Sequence, residues 1–389
     1  MPVVRDLYSK LYNQYFRSAK PIPPGSYAFK TPPGAELPYR LHLRIEPDGS
    51  GLLIVNASTV LHLNRTATEY AFHLIHETPR AEVGHLVAKR YRTKDNQAQQ
   101  DYDQFSAQIH NLILNPDLDP SAYLNIERRT PYSKTHSAPY RLDCALTYRL
   151  PQGSEVQFAP VKRVERELET QEWIDIINKA WQAGIPHLIF TGGEPTLRPD
   201  LPDLLAAAEV NGQVTGLLTD ALRLADREYF ETLARSGLDH IMVVLHPDLE
   251  QSWEALKIIL PDEIFAAVHL TITPENKTQI PDLIQKLKEM GASALSLSAL
   301  DISLKAELKK AQEQAAGLHL PLVWDLPVPY SDFNPVGLEV QENLLTEGES
   351  GRAWLYVEPD GDVLPQQGVN QVLGNFLSDP WEKIWKYGL

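Results

Sequence analysis

The sequence predicts an α/β protein in which a partial (β/α)6-type barrel follows a small winged-helix-like domain and precedes a short C-terminal module. Three observations support this prediction: β-rich runs followed by helical stretches between about 40 and 115, alternating strand and helix patterns through 140–330, and a hairpin signal near Pro359. A chain of 389 residues has room for two or three domains, because single hydrophobic cores rarely extend beyond a few hundred residues.

The first domain is predicted at 39–115, after an N-terminal arm at 1–38 that no pattern assigns to an element. Three β-rich runs, YRLHLRI, GLLIV and TVLHL, are separated by turn sequences that contain Gly, Asn, Asp and Ser. The segment NRTATEYAFHLIHE then repeats apolar residues at helical spacing, and further helical stretches follow it. Strands followed by three helices in so short a span are typical of a winged-helix-like domain.

The barrel is predicted at 140–330, after a linker at 116–139. Strand patterns such as RLDCALTY, HLIF, VTGLLT and AAVHLTI alternate with amphipathic helices, and Gly184 and Gly291 end two of these helices. This alternation predicts a parallel sheet with covered faces and right-handed crossovers. In such barrels functional sites form at the C-terminal ends of the strands. The remaining segment, 331–389, is predicted to be a small C-terminal module.

Charge and hydropathy exclude several classes of partner. The net charge of −15 argues against the phosphate backbone of nucleic acid as a general partner. No apolar run approaches the roughly 20 residues that cross a bilayer, and the first residues lack the apolar block of a signal peptide. We therefore expect no membrane partner and a cytoplasmic location. The single cysteine, Cys144, excludes an internal disulfide, a zinc site built from cysteines and a cysteine-ligated iron–sulfur cluster.

The sequence HLIFTGGEPTLRPDL places Gly192, Gly193, Glu194 and Pro195 at the C-terminal end of a predicted barrel strand. A glycine pair lets the backbone approach a ligand closely, and a carboxylate beside it can bind an ammonium group. The same residues also suit a strand-to-helix turn in which Glu194 begins the helix. From the residues alone both interpretations remain open, because short motifs produce many false matches.

With its surroundings, this motif makes residues 140–300 resemble the core of the radical S-adenosylmethionine (SAM) enzymes. In that family the first barrel strand ends in Leu-Thr-x-x-Cys-Asn-x-x-Cys-x-x-Cys, and the Gly-Gly-Glu-Pro after the second strand holds the methionyl ammonium of SAM. This chain retains LTYR, the complete Gly-Gly-Glu-Pro and the flanking TLRPDL. Leu150, Ser154 and Gln157 stand where the three cysteines are expected.

The missing cysteines decide which cofactors we expect. Because iron–sulfur clusters need soft thiolate ligands, the resemblance implies a chain without a cluster and without reductive cleavage of SAM. SAM or another aminoacyl ligand could still bind at the Gly-Gly-Glu-Pro, although no cofactor is expected. No metal site is assigned, since HLIHE offers two histidines one helical turn apart without a third ligand. His246 ends a predicted strand, where packing or capping is the simpler role, so no catalytic residue is assigned.

Two flanking segments resemble domains that accompany radical SAM enzymes. Residues 351–388 resemble the SPASM extension, with LGNF and WEKIW retained and its Pro-Asp-Gly-x-Val-x-Pro-Cys present as PDGDVLPQ. Gln366 therefore stands where a cluster-ligating cysteine is expected. Residues 40–113 resemble PqqD-type domains, which bind the leader of a ribosomally made peptide. This resemblance implies that a peptide adds as a strand beside TVLHL and is covered by the last helix. The implied peptide-binding residues are Thr59, Val60, Leu61, His62 and Leu63 of the strand, and Tyr102, Phe105 and Ile109 of the helix.

Together these resemblances imply a cluster-less, non-catalytic protein that binds a ribosomally synthesised precursor peptide and acts as a scaffold or chaperone in its maturation. A separate radical SAM enzyme, or another maturation enzyme, would carry out the chemistry. Two alternatives stay open: an enzyme that uses the barrel mouth for non-radical chemistry with SAM or another small molecule, and a small-molecule sensor. The sequence shows no assembled acid–base or nucleophile group, which favours the scaffold and leaves enzyme activity undecided.

Overall fold

The computed structural model divides the chain into two compact units, Met1–Ser133 and Lys134–Leu389. This division falls inside the predicted linker. The residues that the structure describes are 22–32, 34–56, 59–91, 93–115, 118, 120–124, 136–151, 164–323, 353–367, 369 and 371–385.

The N-terminal unit is built on a four-stranded antiparallel sheet in the order β1-β2-β3-β4. Its first strand lies within the predicted arm and pairs with β2 along its whole length. The sequence does not predict this strand, because GSYAFK is a short run between proline-rich stretches, where strand patterns are weak. The strands are β1 (Gly25–Lys30), β2 (Arg40–Ile45), β3 (Gly51–Val55) and β4 (Thr59–Leu63).

Helices follow the four strands, as the winged-helix-like prediction required. One face of the sheet packs against the first and third helices in a core that includes Leu43, Leu53, Leu61, Ala71 and Ile109. Burial of these apolar side chains is the main driving force for this arrangement. The helices are α1 (Arg65–Ile75), α2 (Arg80–Arg90), α3 (Asp95–Leu114) and the short α4 (Pro120–Leu124).

The C-terminal unit contains a nine-stranded sheet in the order β10-β9-β8-β7-β6-β5-β11-β12-β13. Its first six strands along the chain pair in parallel, each with its neighbour in sequence, as expected for a partial barrel. The predicted fold class is therefore confirmed. These strands are β5 (Arg141–Thr147), β6 (His187–Gly192), β7 (Val214–Thr219), β8 (His240–Val244), β9 (Phe265–Ile272) and β10 (Ala294–Ala299).

Alternate side chains of the parallel strands divide between two faces. Leu142, Leu188 and Val268 pack with the connecting helices in the main core, whereas Ile189 and Met242 belong to a smaller cluster on the opposite face. The predicted stop of the first helix is confirmed by the left-handed backbone of Gly184, which has a φ of +97°. The helices are α5 (Thr170–Ala183), α6 (Leu201–Asn211), α7 (Arg227–Arg235), α8 (Glu250–Ile259), α9 (Ile280–Glu289) and α10 (Lys305–Gly317).

The C-terminal module continues the barrel sheet. Strand β11 (Trp354–Val357) pairs in parallel with β5 and antiparallel with β12 (Asp362–Leu364), so the predicted hairpin is present. The sequence did not indicate the pairing with β5, which joins distant parts of the chain. The module ends with β13 (Gly374–Asn375) and α11 (Trp381–Ile384).

One predicted barrel strand forms only a single β-bridge among the described residues. Of LPLVWDL at 320–326, the described part contributes a single parallel bridge between Leu322 and Leu295 of β10. Residues 324–326 lie outside the described residues. None of the helices in the described ranges is both long enough and apolar enough to cross a membrane.

Candidate functional sites

Strand β4 forms an edge of the N-terminal sheet. It pairs with β3 on one side, and no strand among the described residues pairs with its other side. Leu61 points into the core and is 3% exposed, whereas its four neighbours in the strand are half-buried. An edge strand presents N–H and C=O groups to which another chain can pair. The strand residues that the sequence analysis assigned to peptide binding therefore lie where such pairing is sterically open within the sheet.

The three residues assigned to peptide binding on α3 occupy different environments. Tyr102 is 5% exposed and packs against Tyr70 at 5.9 Å between ring centroids, while Ile109 is 2% exposed in the core beneath the sheet. Phe105 is half-buried and contacts both the sheet core and the Tyr70 cluster. The structure brings Phe105 and Ile109 together with β4 in one core but gives Tyr102 and Ile109 little surface with which to contact a peptide.

In the C-terminal unit, Glu194 lies at the centre of a buried hydrogen-bond cluster. Its side-chain Oε1 accepts hydrogen bonds from the amide (2.8 Å) and hydroxyl (2.5 Å) of Thr196 and from the hydroxyl of Thr219 (2.7 Å). Its Oε2 accepts from the amide of Asp220 (2.8 Å). Four donors match the lone-pair capacity of a carboxylate. We call these four residues the Glu194 cluster.

Burial controls the protonation of this cluster. Glu194 is 2% exposed, and within the described residues no basic side chain forms an ion pair with it. Burial, and then the charge of Asp220, raise the pKa of Glu194 to about 7, while the hydrogen bonds from Thr196, Asp220 and Thr219 oppose the rise. The hydrogen bonds therefore offset only part of the cost of burying the charge, and no neighbouring cation contributes among the described residues.

The glycine pair before Glu194 fits against the end of β5. A Cβ on Gly192, which has a φ of +121°, would lie 2.3 Å from the carbonyl oxygen of Thr147, and one on Gly193 would lie 2.2 Å from that of Arg149. The amide of Gly193 donates to Thr147 O (2.6 Å), and the amide of Glu194 donates to Arg149 O (2.8 Å). The close approach that requires glycine here is thus an approach to the protein's own backbone.

The residues after the glycine pair hold the loop in place. Pro195 begins a single 3₁₀ turn and is buried. Arg198 is 6% exposed and donates to the carbonyls of Leu146 (3.2 Å) and Leu168 (2.9 Å), while its guanidinium pairs with Asp200 at 2.6 Å. The sequence analysis did not assign a role to Arg198, because its acceptors lie far away along the chain and no local pattern identifies them.

One buried polar group of the barrel strands surrounds His269 and is internally satisfied. His269 of β9 is completely buried, and its ring nitrogens lie 3.0 Å from the hydroxyl of Ser296, 3.1 Å from that of Thr271 and 3.0 Å from that of Ser298. Burial lowers the pKa of His269 to about 3, so the ring is neutral near neutral pH and is a weak base. His246 is exposed at the strand end, consistent with its predicted minor role.

The donor atoms of this chain do not fit an iron–sulfur cluster. Leu150 is half-buried and has no donor atom, and Ser154 and Gln157 lie outside the described residues but supply no thiol. Cys144 packs as a small apolar group on the face of β5 that contacts the helices, where burial raises the pKa of its thiol. In the described part of the chain, no three His, Cys, Asp or Glu side chains converge as metal ligands.

Gln366 occupies the position where the SPASM resemblance expects a cysteine. It is 1% exposed, and its side-chain Nε2 has no hydrogen-bond acceptor among the described residues. A glutamine amide cannot replace a thiolate ligand of an iron–sulfur cluster. This position therefore supplies no donor for a second cluster.

Comparison with known proteins identifies relatives of this chain. Residues 144–246 match the sequence model of the Radical SAM superfamily. A PqqA peptide cyclase of Gluconobacter oxydans (strain 621H) is 28% identical over 178 residues, which cover 42% of this chain and 49% of the relative. A PqqA peptide cyclase of Streptomyces rochei is 37% identical over 110 residues, 28% of this chain and 30% of the relative. The chain thus spans half or less of the length of these curated relatives.

Solved structures show the same fold over a larger part of the chain. Crystal structures of Streptococcus suis SuiB match with a TM-score of 0.53, at 16% identity when bound to precursor peptide SuiA and at 15% when bound to S-adenosylmethionine. The peptide-bound structure covers 87% of this chain and 85% of its own. Together, the fold, the intact Gly-Gly-Glu-Pro and these relatives show that residues 144–246 are a domain similar to the Radical SAM superfamily and that the PqqA peptide cyclases are its homologues.

Proposed function

We propose that this chain binds a ribosomally made precursor peptide as an added strand on β4 and acts as a cluster-less, non-catalytic scaffold in the maturation of that peptide. The observation that carries the proposal is the edge position of β4, whose outer side no described strand covers. A peptide that adds there gains affinity from main-chain hydrogen bonds and specificity from alternate side chains. Thr59, Val60, His62 and Leu63 would contact it directly.

The third helix of the N-terminal unit, α3, supports the proposal in part. Phe105 is half-buried at the margin of the core and offers an aromatic surface to a side chain of the added strand. Ile109 would support the strand from within the sheet core, whereas Tyr102 packs in the Tyr70 cluster between the helices. The 39–115 segment would then serve as the PqqD-like recognition domain.

The relatives supply the substrate class. Curated relatives are named as cyclases of the peptide PqqA, and a solved structure of similar fold contains a precursor peptide. The single cysteine and the residues at the cluster position support a chain that binds such a peptide without radical chemistry. A separate maturation enzyme would then act on the bound peptide, and SAM would not be required by this chain.

The alternative enzymatic function has weaker support from the described residues. His269, the buried histidine of the barrel interior, has both ring nitrogens engaged by hydroxyls and a pKa far below neutrality. A general base needs a pKa nearer to the working pH and access to a substrate proton. His269 therefore does not meet the requirements of a general base.

Backbone-modified peptides test the proposed function. Fluorescence anisotropy would measure binding of labelled short peptides encoded by reading frames beside this gene, each N-methylated at one residue in turn. Strand addition predicts loss of binding at every second position, because only alternate amides of the added strand face β4. Uniform tolerance of N-methylation, or a contiguous block of sensitive positions, would contradict it.

A pair of protein variants locates the binding edge. Val60→Pro on β4 and Ala28→Pro on β1 each alter a half-buried residue of an edge strand, and each removes one backbone N–H. We expect only Val60→Pro to weaken peptide binding, with circular dichroism to verify that both variants fold. Loss of binding in Ala28→Pro alone would place the peptide on the opposite edge of the sheet.

A further inference from the structure

The Gly-Gly-Glu-Pro segment uses its polar groups within the protein. The amides of Gly193 and Glu194 donate to carbonyls at the end of β5, and the Glu194 carboxylate accepts four hydrogen bonds from Thr196, Thr219 and Asp220. The donors for Glu194 are Thr196 in the loop after β6, Thr219 at the end of β7 and Asp220 in the loop that follows β7. A ligand ammonium could add only at Oε2, which accepts a single hydrogen bond, on a side chain that is 2% exposed.

Further hydrogen bonds around Glu194 connect the segment after β7 with the loop after β6. The hydroxyl of Thr219 accepts from the amide of Ala221 (2.9 Å) while it donates to Glu194. Arg223 donates to the carbonyl oxygen of Thr196 and stacks over the ring of Tyr229, with its guanidinium carbon 4.0 Å from the ring centroid. The segment after β7 therefore donates to the loop after β6 at two places, from Asp220 to Glu194 and from Arg223 to Thr196.

We propose that Glu194 is a positioning residue that joins the loops after β6 and β7, and that in this chain the Gly-Gly-Glu-Pro segment maintains the barrel mouth without SAM. Three observations support this proposal. The Glu194 carboxylate is 2% exposed and accepts four hydrogen bonds, and the two glycines pack against the backbone of β5. The chain also lacks the cysteine thiols that would hold a cluster to which SAM could bind. The inference does not depend on peptide binding at β4, which belongs to the other unit.

Calorimetry and hydrogen exchange test this inference separately. Titration of the full chain with SAM should give no saturable heat. In Glu194→Gln the amide group cannot accept at both positions, so exchange of the Asp220 amide should accelerate about tenfold to hundredfold, as expected for loss of a hydrogen bond to a charged acceptor. The conservative change Glu194→Asp shortens the side chain and should also accelerate this exchange, since its carboxylate cannot reach both loops.

A second variant keeps the test decisive if Glu194→Gln does not fold. Thr219→Val removes one donor to Glu194 and preserves the side-chain shape, so the Asp220 amide should again exchange faster while exchange of the Ala255 amide in α8 stays unchanged. Saturable SAM binding in the wild type that is lost in either variant would overturn the proposal. So would unchanged exchange of the Asp220 amide in all folded variants. Peptide binding measured in the same variants would distinguish failure of the positioning role of Glu194 from failure of peptide binding at β4.

Discussion

At the scale of single residues, Glu194 makes the stability of the barrel depend on pH. Burial, and secondly the charge of Asp220, raise its pKa from 4.5 to about 7. A carboxyl group whose pKa is raised by folding stabilises the folded protein below its unfolded pKa, and this stabilisation is lost as the pH rises through the folded pKa. From this group alone, the free energy of unfolding should fall by on the order of 3 kcal/mol between about pH 4.5 and pH 7.

Urea denaturation of the wild type and Glu194→Gln across this pH range checks the prediction. The free energy of unfolding of the wild type should fall relative to that of the variant as the pH rises, because only the wild type must bury a charge. Glu289→Gln, which removes a carboxyl group from the exposed surface of α9, is the control. A constant difference between wild type and Glu194→Gln would show that the carboxyl group does not titrate there.

Ala221 has a left-handed backbone, with a φ of +58°, although it has a side chain. This conformation costs about 1–2 kcal/mol in a residue other than glycine, and removal of the buried methyl group costs about 0.8 kcal/mol. We therefore expect Ala221→Gly to change the free energy of unfolding by less than about 1 kcal/mol. Ala255→Gly, at an equally buried position inside α8, should lose about 2 kcal/mol. Chemical denaturation measures the free energy of unfolding of both variants. An equal loss of stability in the two would contradict the strain at Ala221.

At the scale of elements, the close contact between the β6 loop and the end of β5 requires glycine. A Cβ on Gly193 would lie 2.2 Å from the carbonyl oxygen of Arg149, which belongs to the backbone and cannot rotate away. Gly193→Ala should lower the free energy of unfolding by on the order of 3 kcal/mol. Gly317→Ala at the end of α10 meets no atom within 4 Å and should be tolerated. Thermal unfolding of the two variants measures this contrast, and similar melting temperatures would disprove it.

Elements with a regular period could be predicted from the sequence. The barrel strands β5 to β10 and their helices repeat apolar residues at spacings that identify each element, and glycines mark several helix ends. Strand β1 and the pairing of β11 with β5 could not be predicted, because β1 is short and strand pairing across distant segments leaves no local pattern. A similar limit applies within the site, where Gly192, Gly193 and Glu194 were recognised but the acceptors and donors around them were not.

At the scale of the whole molecule, the cysteine content predicts the outcome of cluster reconstitution. After anaerobic treatment with iron and sulfide followed by desalting, we expect substoichiometric iron and sulfide and no cluster signal in electron paramagnetic resonance. One buried thiol cannot replace three thiolate ligands. Cys144→Ala should give the same result as the wild type. Stoichiometric iron and sulfide retained by the wild-type chain would show that other residues hold a cluster.

The pairing of β11 with β5 has a consequence for synthesis of the protein. Trp354 lies opposite Arg141 in the sheet, although the ribosome adds it more than two hundred residues later. At translation rates of roughly 5–20 residues per second, the outer edge of β5 remains unpaired for roughly 10 to 40 seconds before its partner strand is synthesised. During this interval the nascent chain exposes an apolar strand edge to which neighbouring polypeptides could pair. Protection of that edge by a chaperone would matter most before residues 354–357 leave the ribosome.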